Sequence, residues 1–386
     1  MAETAVFAIL IAFGIVYAGY PLAILLLAAA RRPRPSVAPD PGNPQSVSVI
    51  VCAYNEEASI GAKLASVATT RWQGPMEIIV ADDGSSDSTA AIVRAASVES
   101  PVPIRLIELP RGGKAAALGH ACASGGGSIL VFTDADPLWE SGTLQALIAP
   151  LADPKVGAVA GQVLTLKARG GAFGGGDAVF RRYETALREA EDRLFGCVSA
   201  DGGLFALRAT LVEPVPPDVT DDFFLSTAAV ARGYRIAFRA DARVYEASAG
   251  SGRQHFRRRL RITVRGLTGL WRRRALMNPF RTGWYALGLI FHKVLRRLAP
   301  VLLIPLWLLS LALTLSGAGG FHALLCAGLT LAAAAAGLLL LLSPLRLPRP
   351  LRLPLYAALH VAGLAGGTLL FLTGRRYTQW TPQQRT

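Results

Sequence analysis

The sequence has few charged residues, few cysteines and, after Glu246, no acidic residue at all. Of its 386 residues, 17% are charged and 52% are hydrophobic, whereas about 25% of the residues of a typical soluble domain are charged. A composition this apolar excludes an intrinsically disordered chain and indicates a membrane protein. The four cysteines form no C-x-x-C pair, which excludes a disulfide scaffold and argues against a thiolate metal site.

Charge is distributed unevenly along the chain. The formal net charge is +14, but residues 1–246 hold 21 basic and 26 acidic residues, and residues 247–386 hold 19 basic residues and no acid. Most of the basic residues in the second part flank apolar stretches, as expected on the cytoplasmic side of a membrane. Membrane topology therefore explains the high isoelectric point, and we predict no nucleic-acid partner.

Uncharged stretches predict one membrane span before the central domain and about three after it. Residues 4–30 carry no charge and exceed the roughly 20 residues that a span needs. Arginines follow at positions 31, 32 and 34, which places the N-terminus outside and the following domain in the cytoplasm. A cleaved signal peptide is the alternative, but the stretch is too long and has no basic start.

The C-terminal spans are less regular. The uncharged run 298–345 is interrupted at 316–320 and predicts two helices, 298–316 and 321–342, while 353–374 predicts a third. If all three segments cross, the basic C-terminus lies outside, against the positive-inside rule. Two alternatives therefore stay open for the third segment: it crosses the membrane or it re-enters. The stretch 279–297 has apolar residues at helical spacing beside basic ones, which favours a helix lying in the interface, with the start of the next span as the alternative.

Residues 46–250 predict a cytoplasmic α/β domain with a mostly parallel, Rossmann-like sheet. Apolar runs at 46–54, 76–81, 104–109 and 128–133 alternate with helical stretches. A proline-rich linker, 31–45, precedes the domain, basic and amphipathic helices occupy 251–297, spans occupy 298–374, and a tail covers 375–386. Ligands of such sheets bind beyond the carboxyl ends of the strands.

Acidic side chains follow three of these predicted strands. Asp134 and Asp136 follow one strand, Asp83 follows another, and Glu56 follows the first. Two carboxylates one residue apart suit Mg²⁺ or Mn²⁺, which binds a few carboxylates together with substrate phosphates. A D-x-D pair alone is more often a capping turn, and Asp83 has the alternative role of capping the next helix, but three acidic strand ends on one edge favour a site.

Five segments in this order resemble the motifs of family 2 glycosyltransferases with the GT-A fold. They are Ser48–Glu56 (SVIVCAYNE), Ile79–Asp87 (IVADDGSSD), Gly113–Leu118 (GKAAAL), Phe132–Asp136 (FTDAD) and Thr220–Asp222 (TDD). The resemblance covers about residues 46–300, and the membrane layout resembles that of the cellulose and hyaluronan synthases. It implies an inverting hexosyltransferase that uses a UDP-sugar and Mg²⁺ or Mn²⁺.

The resemblance also implies roles for single residues. Asp222 would be the general base, with Asp221 as the runner-up, and Asp136 would bind the metal together with Asp134, which would also hold the donor. The acceptor side would include Gly202, Gly203 and Gln254. The nucleotide-sugar would contact Ala53, Glu56, Asp83, Lys114, Asp134, Arg257 and Arg258.

The basic segment from Arg253 departs from the family pattern. The polymerases carry Q-x-x-R-W there; Gln254 and Arg257 fit, but Arg258 replaces the Trp that lies against the acceptor sugar. The departure puts processive synthesis in doubt. Arginines beside a membrane also have an alternative role in neutralising lipid headgroups.

Three functions follow from these observations. The first is exopolysaccharide synthesis by a multi-pass protein of the inner (cell) membrane, for which so few spans would call for a homo-oligomer. The second is transfer of one sugar to a membrane lipid. The third, of another class, is a non-catalytic membrane-anchored partner that binds sugar nucleotides, which the filled acidic motif positions disfavour. The first is slightly favoured over the second.

Overall fold

The structure is a computed structural model in which residues 1–32, 45–165, 174–246, 252–341 and 349–378 are described. Most of the predicted linker 31–45, the basic connection at Arg346 and the end of the tail 375–386 lie outside the described residues.

An eight-stranded sheet forms the centre of the domain. Its strands are β1 Val47–Ala53, β2 Met76–Asp82, β3 Ile104–Glu108, β4 Ile129–Asp134, β5 Leu138–Trp139, β6 Val156–Thr165, β7 Phe205–Arg208 and β8 Arg235–Glu246. The spatial order is β3-β2-β1-β4-β7-β6-β8-β5. The first four strands are parallel, β7 runs antiparallel to both of its neighbours, and β8 is parallel to β6. The predicted mostly parallel α/β fold is therefore confirmed.

Helices cover both faces of the sheet and continue beyond it. Every residue of β1 is buried. Val49 and Val51 join one apolar cluster and Ile50 and Cys52 join the other, because successive side chains of a strand point to opposite faces.

The helices are α1 Ala2–Gly14, α2 Tyr20–Ala29, α3 Ile60–Ala68, α4 Thr89–Glu99, α5 Lys114–Ser124, α6 Thr143–Ile148, α7 Gly174–Leu194, α8 Asp221–Ala231, α9 Gly252–Arg272, α10 Pro279–Thr282, α11 Trp284–Gly288, α12 Arg296–Leu298, α13 Leu303–Leu315, α14 Gly320–Leu341 and α15 Arg349–Leu372.

Four helical stretches are long and apolar enough to cross a membrane. They are Ala2–Ala29, Trp284–Leu315, Gly320–Leu338 and Pro354–Leu372. One precedes the sheet domain and three follow it, as predicted. The stretch 279–297, for which an interfacial helix and the start of a span were both open, is continuous from Trp284 with the second of these helices.

The strand order determines where the sheet can bind a ligand. The chain builds β1, β2 and β3 outward in one direction and then returns to add β4 on the other side of β1. The loops after β1 and β4 diverge at this switch point and leave a crevice between them. Asp134, the last residue of β4, pairs with Cys52 of β1 at its edge.

Candidate active site

A cavity of about 420 Å³ lies at this crevice and extends to α7, α8, α9 and α15. It brings together eight of the twelve residues predicted from the sequence. These are Glu56, Lys114, Asp134, Asp136, Gly202, Gly203, Asp222 and Arg258. The other four, Ala53, Asp83, Gln254 and Arg257, do not line it.

Lys114, the first residue of α5, connects the motif at the end of β4 to the motif at the start of α8. Its Nζ donates to Asp134 Oδ1 at 2.7 Å and lies 2.8 Å from Asp221 Oδ2. Burial favours the neutral amine, but the charges of Asp134 and Asp221 outweigh it and raise the pKa of Lys114 well above its usual value. The site therefore holds a permanent cation here.

Asp134 and Asp136 have the chemistry of a divalent metal site. Both line the cavity, and burial, together with the charges of Asp136 and Asp221, raises the pKa of Asp134 despite the opposing effect of Lys114. A divalent cation would relieve this repulsion. Within the described part of the chain, no group of three or more His, Cys, Asp or Glu side chains could hold a metal, so an ion on these two carboxylates would complete its shell with water and phosphate oxygens, as Mg²⁺ commonly does.

Asp222 is the second residue of α8 and faces the same cavity. Burial, followed by the charges of Asp221 and Asp201, raises the pKa of Asp222 to about 6. The neighbouring Asp221 is turned to Lys114 instead. Of the two candidate bases, Asp222 therefore has the pKa that suits proton transfer near neutral pH.

Gly202 and Gly203, in the loop between α7 and β7, bring the two ends of the site close together. A Cβ on Gly202 would lie 3.6 Å from Asp134 Oδ2 and 3.9 Å from Asp222 Oδ2. A Cβ on Gly203 would lie only 2.7 Å from Val163 Cγ2. Gly202 thus separates the base from the metal-side carboxylate, and Gly203 lets the loop pack on β6.

Asp83 is buried beneath the loop that leads into α5, with 1% of its surface exposed. Its Oδ1 accepts hydrogen bonds from the amides of Gly112 and Gly113 at 2.8 Å each, and Arg111 forms an ion pair with it. The Arg111 guanidinium lies 3.5 Å from the centre of the Tyr54 ring. Asp83 therefore orders this loop, and its predicted contact with the nucleotide base stays a prediction.

The remaining predicted donor residues differ in position. Ala53 is fully buried at the end of β1, whereas Glu56 lines the cavity and accepts a hydrogen bond from the Ser59 hydroxyl at 2.7 Å. The role of capping the next helix, which was open for Asp83, falls to Asp87, whose Oδ1 accepts from the Thr89 amide.

Helix α9 directs only some of its arginines into the cavity. Gln254 and Arg257 are exposed, whereas Arg258 lines the cavity. Three further arginines of α9 that the motif did not single out line it as well: Arg259, Arg261 and Arg265. Helical periodicity alone could not identify this face, because the helix is basic nearly all round its first turns.

A buried charge cluster beside the cavity was missed by the sequence analysis. His292 lies with Nδ1 2.7 Å from Glu191 Oε1 and Nε2 2.7 Å from Glu184 Oε1. The Tyr20 hydroxyl donates to Glu191 Oε1 at 2.6 Å, and Arg188 pairs with Asp201 at 2.7 Å. The cluster connects two apolar helices to α7 and belongs to no local motif that could have identified it.

Comparison with known proteins agrees with this geometry. A mannosyltransferase from Pyrobaculum calidifontis, solved in complex with GDP-Man and Mn²⁺, is similar over 97% of this chain and 100% of its own, with a TM-score of 0.72 and 27% identity. An N-acetylglucosaminyltransferase of Rhizobium meliloti (strain 1021) is 29% identical over 294 residues, which are 69% of this chain and 63% of the relative. One of Sinorhizobium fredii (strain NBRC 101917 / NGR234) is 32% identical over 124 residues, or 32% of this chain and 30% of the relative.

The chain therefore spans less than two thirds of the length of these two relatives. Residues 44–264, more than half of the chain, match the family model described as glycosyltransferase like family 2. Together with the GT-A-like sheet and the cavity at its switch point, this match establishes that the chain is a glycosyltransferase of family 2.

Proposed function

We propose that this protein transfers a sugar from a nucleoside diphosphate sugar to a membrane lipid acceptor, with inversion at the anomeric carbon. The observation that carries the proposal is the position of Asp222, whose pKa is raised to about 6 and which lies across Gly202 from Asp134 in one cavity. A base and a leaving-group site on opposite sides of a small gap suit a single displacement.

In this mechanism Asp222 takes the proton of an acceptor hydroxyl as that oxygen attacks the anomeric carbon. The bond from the anomeric carbon to the diphosphate oxygen breaks, and the nucleoside diphosphate leaves. Lys114, fixed between Asp134 and Asp221, screens negative charge beside the donor. Asp134 and Asp136 would hold Mg²⁺ or Mn²⁺, which neutralises charge on the departing diphosphate when bound.

The donor is proposed at the level of its chemical class. The resemblance of the motifs implies a UDP-sugar, whereas the Pyrobaculum calidifontis relative was solved with GDP-Man and Mn²⁺. Both are diphosphate donors, and the same acidic strand ends suit either. A panel of UDP- and GDP-sugars therefore decides the nucleotide and the sugar.

The cavity favours the lipid alternative over the polysaccharide. Besides the sheet edge it is lined by Tyr356, His360 and Leu364 of α15 and by Lys293 and Arg297 of the second long apolar helix. An acceptor held here lies against the helices that would enter the bilayer. Since basic residues follow the first apolar helix at positions 31 and 32, we place the sheet domain on the cytoplasmic side of the inner (cell) membrane.

Nucleotide release by the purified protein in lipid vesicles tests the proposal. We expect wild type to release nucleotide from one sugar nucleotide, and the rate of release to fall about 100-fold or more in Asp222→Asn. Asp241→Asn, an exposed surface aspartate outside the cavity, is the matched control and should behave like wild type. Equal background release by wild type and Asp222→Asn with every donor would support the non-catalytic alternative.

Mass analysis of the product separates the two acceptors. A single added sugar on a lipid supports the proposal, and a ladder of increasing length would show that the acceptor is a growing polysaccharide.

A further inference from the structure

The charges that line the cavity are separated into an acidic end and a basic end. Eight Asp or Glu residues line it, and all of them come from β4, β8, α7, α8 or the loops at the sheet edge. Ten Lys or Arg residues line it, and seven of these come from α9 or from the helical stretch that begins at Trp284. The acidic end would hold a metal, and Lys114 and Arg258 are the cavity cations predicted to contact the donor, so the other cations of the basic end are available to a second ligand.

Two of these cations, Lys293 and Arg297, lie one helical turn apart. Arg297 Nη1 donates to the Lys293 carbonyl at 2.9 Å, and Arg297 Nε lies 3.2 Å from the position of a Cβ on Gly266. The glycine of α9 therefore makes room for this guanidinium. Arg297 is close enough to Asp222 and Glu184, and Lys293 to Glu184 and Asp201, for their charges to interact, so the pair lies near the base.

The pair lacks a counter-ion of its own. The adjacent Arg296 has one, since its Nη1 lies 2.9 Å from Glu184 Oε2. In the parts of the chain that the structure describes, no carboxylate lies within ion-pair distance of Lys293 or Arg297, although both are half-buried. Two like charges one turn apart destabilise a helix, and cations withdrawn from water are costly unless an anion neutralises them.

We propose that Lys293 and Arg297 bind a phosphate group of the lipid acceptor, next to a free hydroxyl at Asp222. Guanidinium and ammonium groups are the usual protein ligands of phosphate. The pair lies within the helical stretch Trp284–Leu315, directly before the uncharged run that begins at residue 298, so a lipid headgroup would reach it at the edge of the bilayer. Tyr356 and Leu364 line the same cavity. The inference rests on the proposed sugar transfer and names the chemical class of its acceptor.

The phosphate takes no part in the bond changes. The acceptor hydroxyl oxygen bonds to the anomeric carbon, its proton passes to the Asp222 carboxylate, and the nucleoside diphosphate leaves with the bonding electrons. The acceptor phosphate positions the hydroxyl and stays intact in the product.

Fractionated membrane lipids test the inference on the full chain in phosphatidylcholine vesicles. A lipid extract is separated by anion exchange into anionic and neutral fractions, and each is incubated with the donor carrying a radiolabelled sugar. We expect labelled lipid from the anionic fraction. Lys293→Gln and Arg297→Gln should each raise the KM for that fraction about tenfold or more, because each removes one charge-assisted contact, and leave the donor KM unchanged.

Two controls separate a bound phosphate from general effects. Lys293→Arg keeps the charge and should restore the acceptor KM, and it remains informative if Arg297→Gln does not fold. Arg281→Gln removes an exposed cation of α10 outside the cavity and should leave both KM values unchanged. If Arg281→Gln has the same effect as Lys293→Gln, attraction to the anionic surface explains the result and the inference is wrong.

Three other outcomes would overturn it. They are equal product from the neutral fraction, a higher donor KM with an unchanged acceptor KM in the two variants, and full competition by millimolar glycerol 3-phosphate, which would indicate a water-soluble phosphate ligand. Absence of nucleotide release by wild type with every lipid fraction would instead contradict the sugar transfer itself.

Discussion

At the scale of the residue, two adjacent carboxylates of α8 have different environments. Asp221 faces the Lys114 cation, and that charge lowers the pKa of Asp221 although burial alone would raise it. Asp222 faces the cavity, where its Oδ1 accepts a hydrogen bond from the Phe223 amide at 2.8 Å, and none of the described cations forms an ion pair with it. These environments make Asp221 a permanent anion and let Asp222 exchange a proton near neutral pH.

The pH dependence of nucleotide release should report Asp222. Because the pKa of this carboxyl is raised to about 6, the ionised base is present above pH 6 and is lost as the pH falls through that value. We therefore expect kcat/KM to be nearly constant above pH 7 and to fall about tenfold for each pH unit well below 6. The profile is measured in lipid vesicles, with Asp241→Asn as a variant that should keep it.

A profile that stays flat between pH 5 and 7 would show that no group with this pKa limits the reaction. The assignment of Asp222 as the base would then be wrong.

At the scale of the element, the site depends on two connections made outside the parallel strands. The loop that carries Gly202 and Gly203 fits between β6 and the cavity, and the Thr133 hydroxyl of β4 donates to the Gly203 carbonyl at 2.8 Å. The second connection is His292, which joins the helical stretch beginning at Trp284 to two carboxylates of α7. The glycine loop brings the base close to the carboxylates of the metal side, and His292 attaches the sheet domain to an apolar helix.

The glycine pair should respond to alanine in two different ways. Gly203→Ala places a methyl group against Val163, where the contact would be 2.7 Å, and overpacking of this kind costs about 1–3 kcal/mol. The methyl group of Gly202→Ala fits without a clash, but it lies between Asp134 and Asp222. We expect a lower unfolding temperature for Gly203→Ala, and for Gly202→Ala near-normal stability with reduced kcat. Equal stability and activity in both variants would contradict this account.

Replacement of His292 by Ala should destabilise the protein. Both ring nitrogens are 2.7 Å from carboxylate oxygens, so the ring connects two buried carboxylates of α7. Removal of one partner of a buried charge cluster costs about 3–5 kcal/mol. Thermal unfolding in detergent should therefore shift down by several degrees, whereas His120→Ala, at an exposed position of α5, should not shift it.

An unfolding temperature of His292→Ala equal to that of wild type would contradict this assignment. The cluster would then contribute little to the attachment of α7.

At the scale of the whole molecule, the charge asymmetry of the sequence becomes the charge asymmetry of the cavity. The sheet domain supplies all of the acidic lining residues, and α9 together with the following apolar helix supplies most of the basic ones. The helix α15 packs against α9, and Arg259 lies over Gly363. A donor with its metal at one end and a membrane-held acceptor at the other suits such an arrangement.

Removal of divalent metal should abolish nucleotide release, since Asp134 and Asp136 would otherwise repel each other and the donor diphosphate. We expect a chelator to lower the rate about 100-fold or more, and added Mn²⁺ or Mg²⁺ to restore it. Asp136→Asn should raise the metal concentration needed for half-maximal rate, and Asp241→Asn should leave it unchanged. Full activity of the chelated protein would show that transfer needs no metal.

Local sequence was sufficient to predict β1 to β4, four of the eight strands, and the acidic residues at the ends of three of them. A parallel strand buried on both faces needs a continuous apolar run, and polar residues follow where it ends. Both features are local and can be read in the sequence. The family and the α/β fold are confirmed on that basis. Asp134 and Asp136 lie at the cavity because β4 pairs with β1 at the switch point, whereas Asp222 reaches it from the first turn of α8.

The tertiary structure alone decided which cations face that cavity and which carboxylates they meet. His292 and its partners are separated by 101 and 108 residues, and Lys114 lies between carboxylates 20 and more residues away. Arg257 and Arg258 are neighbours in sequence, yet one is exposed and the other lines the cavity. Such contacts depend on how α7, α9 and the apolar helices pack, and packing between distant segments leaves no periodic pattern in the chain.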